Sequence, residues 1–192
     1  NREIAETCGF SLQDLWEYLE LREVPKKIDV IMDSGGRIAD IVDNMLSFSR
    51  KGNSMYAMHS LADLLDKTLS LVASEYELKK KYNFKEIKIH KEYDETLPKI
   101  PCEGSKLQQV FFNLFKNGAQ AMADNKRLGK ERCFYLRTLN EGDRARIEIE
   151  DTGPGISSEE KQWIFEPFYT TKNEGEGTGL GLSISCFIIT EN

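Results

Sequence analysis

KLQQVFFNLFKNGAQAM, residues 106–122, is the stretch on which the fold turns. Val110, Phe111, Leu114 and Phe115 recur at helical spacing and supply an apolar surface, so the segment reads as a core helix. Ser105 with Gln108 has the pattern of a capping box at its start, and the helix is expected to reach about Ala123. Asn113 and Asn117 are four apart and project from one face, one turn above the other, with Lys116 beside them. Two neutral amides on a core helix can offer carbonyl oxygens to a hard cation without a carboxylate's charge. Taken alone, such a pair is more often surface or capping polarity.

Upstream, Lys85 to Asp94 alternates with Ile87, Ile89 and Tyr93 on one face, which predicts a strand. Before it, Leu61, Leu64, Leu65, Leu69 and Val72 mark an amphipathic helix ending ahead of Lys79-Lys80-Lys81. Downstream, residues 132–139 and 144–151 alternate around Asn140-Glu141-Gly142-Asp143, the pattern of a hairpin. Ser157 with Glu160 caps a short helix ending near Pro167, and a last helix begins at about Leu180. Strands and helices mix without a regular βαβ repeat. The expected class is α+β, a sandwich with helices on one face of a mixed sheet.

The first part of the chain differs. Ser11 and Asp14 can cap a helix carrying Leu12, Leu15, Trp16 and Leu19, which Pro25 stops. From Lys26 to Arg50, Ile28, Gly35 and Val42 repeat every seven residues, as do Ile31, Ile38 and Met45, with Met32, Ala39 and Leu46 alongside. So broad a stripe suits a helical bundle. Lys51-Gly52-Asn53-Ser54 ends it, which predicts a helical segment over 1–53 and an α+β domain over 54–192.

Three further segments can carry chemistry. In Asp151-Thr152-Gly153-Pro154-Gly155-Ile156, Asp151 shares parity with Ile147 and Ile149, so its carboxylate is expected on the buried side of a strand. There it must find donors. An adenine amino group is a suitable one, and the two glycines let the backbone approach a flat ring. A strand-ending turn with a capping aspartate is the plain alternative. GEGTGLGL, residues 175–182, sets Gly177, Gly179 and Gly181 at alternate positions running into an apolar helix. Bared amides at a helix N-terminus suit a di- or triphosphate, a flexible linker being the bland reading. Between these, Phe165-Glu166-Pro167-Phe168-Tyr169-Thr170-Thr171-Lys172 has aromatics to anchor a loop and a lysine to reach a terminal phosphate.

Charge and composition narrow the partners. A formal net charge of -6 argues against nucleic acid or an anionic membrane as a partner. No apolar run approaches the ~20 residues of a spanning helix. Cys8, Cys102, Cys133 and Cys186 are scattered without metal spacing or a CxxC pair, as expected of thiols in a reducing cytoplasm.

In their order and spacing, the four segments resemble the N, G1, F and G2 boxes of the histidine-kinase ATPase domain. Its superfamily also holds DNA gyrase, a heat-shock chaperone family and mismatch-repair ATPases. The likeness covers about residues 60–192 and implies magnesium-ATP as the ligand. Asn117 would then ligate magnesium between the phosphates, with Lys116 alongside and Asn113 facing the γ-phosphate end. Asp151 would bind the adenine amino group, with Gly153, Gly155 and Ile156 beside the ring. Thr170, Thr171 and Lys172, with Gly175, Gly177, Thr178, Gly179, Leu180 and Gly181, would form the ATP lid and its phosphate contacts. Asn113 and Lys172 would be the catalytic pair. Hydrolysing members of the superfamily have a glutamate where Asn113 stands. Asparagine cannot take a proton at neutral pH, which favours transfer to a protein acceptor over attack by water.

Arg37 to Arg50, RIADIVDNMLSFSR, looks like the second helix of the kinase dimerisation hairpin, implying a homodimer through a four-helix bundle. The family's acceptor motif, a histidine followed by an acid, is absent from the first helix. Only His59 and His90 occur, one after the bundle helix and one on the polar face of a strand, and both read as ordinary exposed residues. The phosphoacceptor is therefore expected upstream of residue 1. The family also continues past Asn192 with a glycine pair and further strands, so the second domain is expected to be incomplete at its C-terminal end. The implied function is that of a sensor histidine kinase. It passes the γ-phosphoryl to that upstream histidine and thence to a response-regulator receiver aspartate, in the cytoplasm, with a membrane anchor in a longer parent left open. This chain alone is not expected to label itself. The alternatives are a non-catalytic ATP-binding dimerisation scaffold and an ATP-hydrolysing relative.

Overall fold

The computed structural model describes residues 5, 7, 9, 11–49, 56–79, 84–124, 131–172 and 177–191. The chain divides into two compact units: Asn1–Ser49 with Thr171–Thr178, and Arg50–Thr170 with Gly179–Asn192.

In the first unit, α1 (Leu12–Leu21) and α2 (Val24–Ser49) follow one another closely. Ser11 Oγ accepts the Asp14 N–H at 3.0 Å, the expected cap. Glu23 turns the chain in the left-handed region at φ +53°. Pro25 stands second in α2, where its missing N–H would have had no intrahelical partner. Ile28, Ile31, Met32, Ile38 and Val42 all remain on the surface of α2, at 45–69% exposure. The side chains of Met45 and Leu46 lie outside the described residues.

The second unit runs β1 (Ala57–His59), α3 (Leu61–Lys79), β2 (Lys88–Tyr93), β3 (Ile100–Cys102), α4 (Gly104–Asp124), β4 (Cys133–Asn140), β5 (Ala145–Asp151) and α5 (Gly181–Glu191). One sheet has the order β2-β4-β5, with β2 parallel and β5 antiparallel to β4. It is mixed, as expected. Along β4, Phe134, Leu136 and Thr138 are buried while Tyr135 and Arg137 take the outer face. The inner face meets α4, whose Phe111, Phe115, Ala119 and Met122 are almost wholly buried. The Phe134 ring stands edge-on to Phe115 with centroids 5.5 Å apart and stacks against Phe84 at 6.4 Å. On the outer face, Arg137 binds Glu92 at 3.0 Å and Glu150 at 2.8 Å and lies over Tyr135, against which His90 stacks.

Several expectations need correction. Residues 57–59 and 100–102 form a two-stranded antiparallel ladder, Ala57 opposite Cys102, that no local pattern announced. Helix α4 begins at Gly104, with the Glu103 carbonyl accepting from Lys106 and Leu107, so Ser105 lies inside the helix and does not cap it. The Ser157–Glu160 box does form, with reciprocal bonds of 2.9 and 3.2 Å. It opens only one 3-10 turn, Glu160–Gln162, because Pro167 leaves too little chain for a helix to repay its nucleation. His59 is half-buried, not exposed: its ring covers Gly104 so closely that a Cβ there would sit 2.9 Å from Nε2. His90 is exposed, as read.

Candidate functional site

Asp151 is the last residue of β5, paired with Phe134 across the ladder. Alternation puts it on the α4 side, and a Cβ built on Gly118 of α4 would stand 3.1 Å from its Oδ2. The predicted side holds, but the predicted burial does not: the Asp151 side chain is exposed. The residues that would cover it, Gly118 beneath and Gly153 beyond, have no side chains. Its Oδ1 accepts the Gly153 N–H at 2.8 Å, and a Cβ on Gly153 would come within 2.6 Å of that oxygen and 3.2 Å of the Ala121 Cβ. Any larger residue at 118 or 153 would fill this cradle. Gly155, at φ +79°, then turns the chain away in open space, where Ile156 is about half exposed.

Asn113 projects from α4 toward the first turn of α5. Its Nδ2 donates to the Gly181 carbonyl at 3.1 Å and to Ser185 Oγ at 3.4 Å, while that hydroxyl donates to the same carbonyl at 2.8 Å. Ser185 is buried, so the three groups form a satisfied polar cluster between two helices. Asn117 is half-buried and Lys116 exposed on the same helix. Leu180 is buried at the threshold of α5, with Ile184 and Ile188 below it.

Gly179 closes this corner. It adopts φ +67°, and its carbonyl accepts the Phe168 N–H at 3.0 Å. A Cβ there would lie 2.4–2.7 Å from the backbone of Phe168, itself left-handed at φ +69°. Thr170 is exposed in the second unit. Thr171, Lys172, Gly177 and Thr178 belong to the first unit, and Gly175 lies outside the described residues. The structure thus joins Asn113 to Gly181, and Asp151 to Gly153.

Sequence reasoning missed Gly118, Thr152 and Ser185. Gly118 carried the one local signal, since glycine inside a helix costs about 1 kcal/mol relative to alanine and invites a reason. Among the described residues no three His, Cys, Asp or Glu side chains converge on a metal position. The donor set has no all-protein cage. It fits a hard cation that arrives with phosphate oxygens and takes a neutral amide oxygen, such as that of Asn117.

Residues 102–191 match the family described as histidine kinase-, DNA gyrase B- and HSP90-like ATPases. The chain is 31% identical over 171 residues to the sensory histidine kinase/phosphatase NtrB of Klebsiella oxytoca, covering 85% of this chain and 45% of that protein. It is likewise 31% identical over 170 residues to the sensor kinase CckA of Brucella abortus, covering 84% of this chain and 17% of the relative. The chain therefore spans less than half the length of either. Among solved structures, the catalytic domain of the histidine kinase ThkA superposes with a TM-score of 0.57 at 26% identity, covering 71% of this chain and 80% of that one.

Proposed function

We propose that this chain is the ATP-binding catalytic region of a sensor histidine kinase, a reading supported by the match of residues 102–191 to the histidine kinase-, DNA gyrase B- and HSP90-like ATPases. The observation that carries the reading is the cradle at the end of β5. There a carboxylate is held by one backbone N–H and flanked by Gly153 and by Gly118, the latter on the same helix as Asn113 and Asn117. The adenine amino group donates to Asp151, and the bare glycines let the ring lie close. Asn117 supplies one oxygen to magnesium, which when bound neutralises charge on the phosphates. Thr170, Gly179 and Gly181 make phosphate contacts, with Asn113 toward the transferring phosphoryl. No carboxylate base occupies the Asn113 position, and its amide is engaged with Gly181, which supports transfer over hydrolysis.

The acceptor is a histidine upstream of this chain, from which a response-regulator aspartate takes the phosphoryl group. The exposed apolar stripe of α2 supports a homodimer through the helical segment. No helix among the described residues is long and apolar enough to cross a membrane. The test is phosphotransfer from labelled ATP. The 192-residue chain binds ATP and stays unlabelled, whereas a chain extended upstream through the first hairpin helix acquires acid-labile, base-stable label on one histidine there. Label on His59 or His90 overturns the placement of the acceptor. ATP binding without transfer by the extended chain indicates a scaffold, and steady phosphate release indicates a hydrolase.

Two substitutions probe the pocket. Asp151→Asn replaces an acceptor oxygen with donors that oppose the adenine amino group, and should weaken ATP binding by about 1–3 kcal/mol, tenfold or so. Calorimetry on the folded variant showing wild-type affinity removes Asp151 from the base site. Asn117→Ala should weaken magnesium-ATP more than metal-free ATP, because a lost metal ligand is felt only with the metal present. Equal weakening in both titrations moves Asn117 out of the metal site.

A further inference from the structure

Beyond its last ladder pair, Asp151 with Phe134, strand β5 is held by one residue. The Thr152 N–H donates to the Cys133 carbonyl at 3.2 Å, and Thr152 Oγ1 accepts the Cys133 N–H at 2.9 Å. The same hydroxyl donates to the Glu131 carbonyl at 2.8 Å. Its one proton and a lone pair are thus both engaged with the backbone that leads into β4. Met122 Sδ, from the buried face of α4, lies 3.5 Å from the same oxygen. Thr152 stands between the two residues that define the cradle, Asp151 and Gly153.

We propose that the Thr152 hydroxyl is the positioning group for Asp151. By tying the residue after the carboxylate to the entry of β4, it sets where the carboxylate stands over Gly118 and so the match to a base bearing an exocyclic amino group. The inference rests on the adenine reading of Asp151. Thr152 does not touch the base and acts only through its neighbour.

Three features make the role specific. Among the described residues the carboxylate has a backbone donor on one oxygen, from Gly153, two residues on. That bond fixes the turn internally but does not anchor it to the sheet. The ladder ends at Asp151, so without the hydroxyl only the Thr152 N–H bond continues the pairing. The cradle also has no slack, since a Cβ on Gly153 would already lie 2.6 Å from Oδ1 and one on Gly118 3.1 Å from Oδ2. A shift of a few tenths of an ångström there changes which oxygen a bound amino group meets.

The test uses the full 192-residue chain and two probes, ATP and inosine triphosphate, whose base carries an oxo group where adenine has the amino group. Wild type should prefer ATP about tenfold or more. Thr152→Val keeps the shape and removes the hydroxyl, and that preference should fall severalfold. Thr152→Ser restores the hydroxyl and should restore the preference. Urea melts of both variants report stability separately, and Thr152→Ala replaces the valine variant if that does not fold. A hydroxyl that serves stability alone would weaken both nucleotides in parallel. An unchanged preference in the folded Val or Ala variant therefore overturns the proposal, as does a serine variant that folds but loses it. Asp151→Asn separates the two readings. If it loses the preference while Thr152→Val keeps it, only the role of Thr152 falls. If wild type shows no preference at all, the adenine reading falls and the positioning role falls with it.

Discussion

Phe134→Ala should lower the unfolding free energy of the second unit by about 3–5 kcal/mol, which for a domain of this size is roughly 10–20 °C in Tm. The Phe134 ring is fully buried between Phe115 and Phe84, so deletion removes its transfer energy and leaves a cavity among aromatic neighbours that cannot easily collapse. The effect should reach the site. The ring edge is what a Cβ on Gly118 would strike first, at 2.6 Å, so Phe134 sets how closely α4 rides on the sheet beneath Asp151. Phe134→Leu keeps most of the volume and should cost about 1–1.5 kcal/mol. Urea denaturation of the two variants checks the pair. A loss below about 1 kcal/mol for the alanine variant would show that Phe134 is not the keystone of this layer.

Gly179→Ala should be the most damaging glycine-to-alanine change among the described residues. A left-handed residue with a Cβ costs about 1–2 kcal/mol by itself. At Gly179 the added atom would also press into the Phe168 backbone at 2.4–2.7 Å, and Phe168 already holds a left-handed conformation that leaves it little room to yield. The 3.0 Å bond from the Phe168 N–H to the Gly179 carbonyl should break, and Leu180 and Gly181 should move with it. Since the Gly181 carbonyl is the acceptor for Asn113, ATP affinity should fall by more than tenfold, on the order of 1.5–3 kcal/mol. Gly142→Ala is the control. That glycine has φ +86° in open space at the hairpin turn, so it carries the conformational cost without the collision. Equal losses in stability and ATP binding for the two variants would refute the Phe168 clamp.

Much of this architecture was legible because it is local. A helix announces itself through neighbours three and four apart, and a hairpin through alternation about a turn. The stripe of α2, the long α4, the β4–β5 hairpin and the Ser11 cap all followed from residues that touch within their own element. So did the order of the chemical segments and the pairing of Asn113 with Asn117 on one helix. The sequence alone also placed Asp151 on the correct side of its strand, because parity is a local property.

The tertiary structure decided what depends on residues far apart in the chain. Three-residue strands carry too little pattern to be seen, and β1 exists only because β3, some forty residues on, lies beside it. Asp151 is exposed because its cover would have to come from position 118, on another element, and that position is glycine. Asn113 reaches Gly181 across 68 positions, Thr152 binds the backbone at Glu131 and Cys133, and Gly179 must lack a side chain because of Phe168. Each is a close approach between distant segments, where hydrogen-bond geometry and excluded volume act. A pattern of residue types along the chain records neither until the chain has folded.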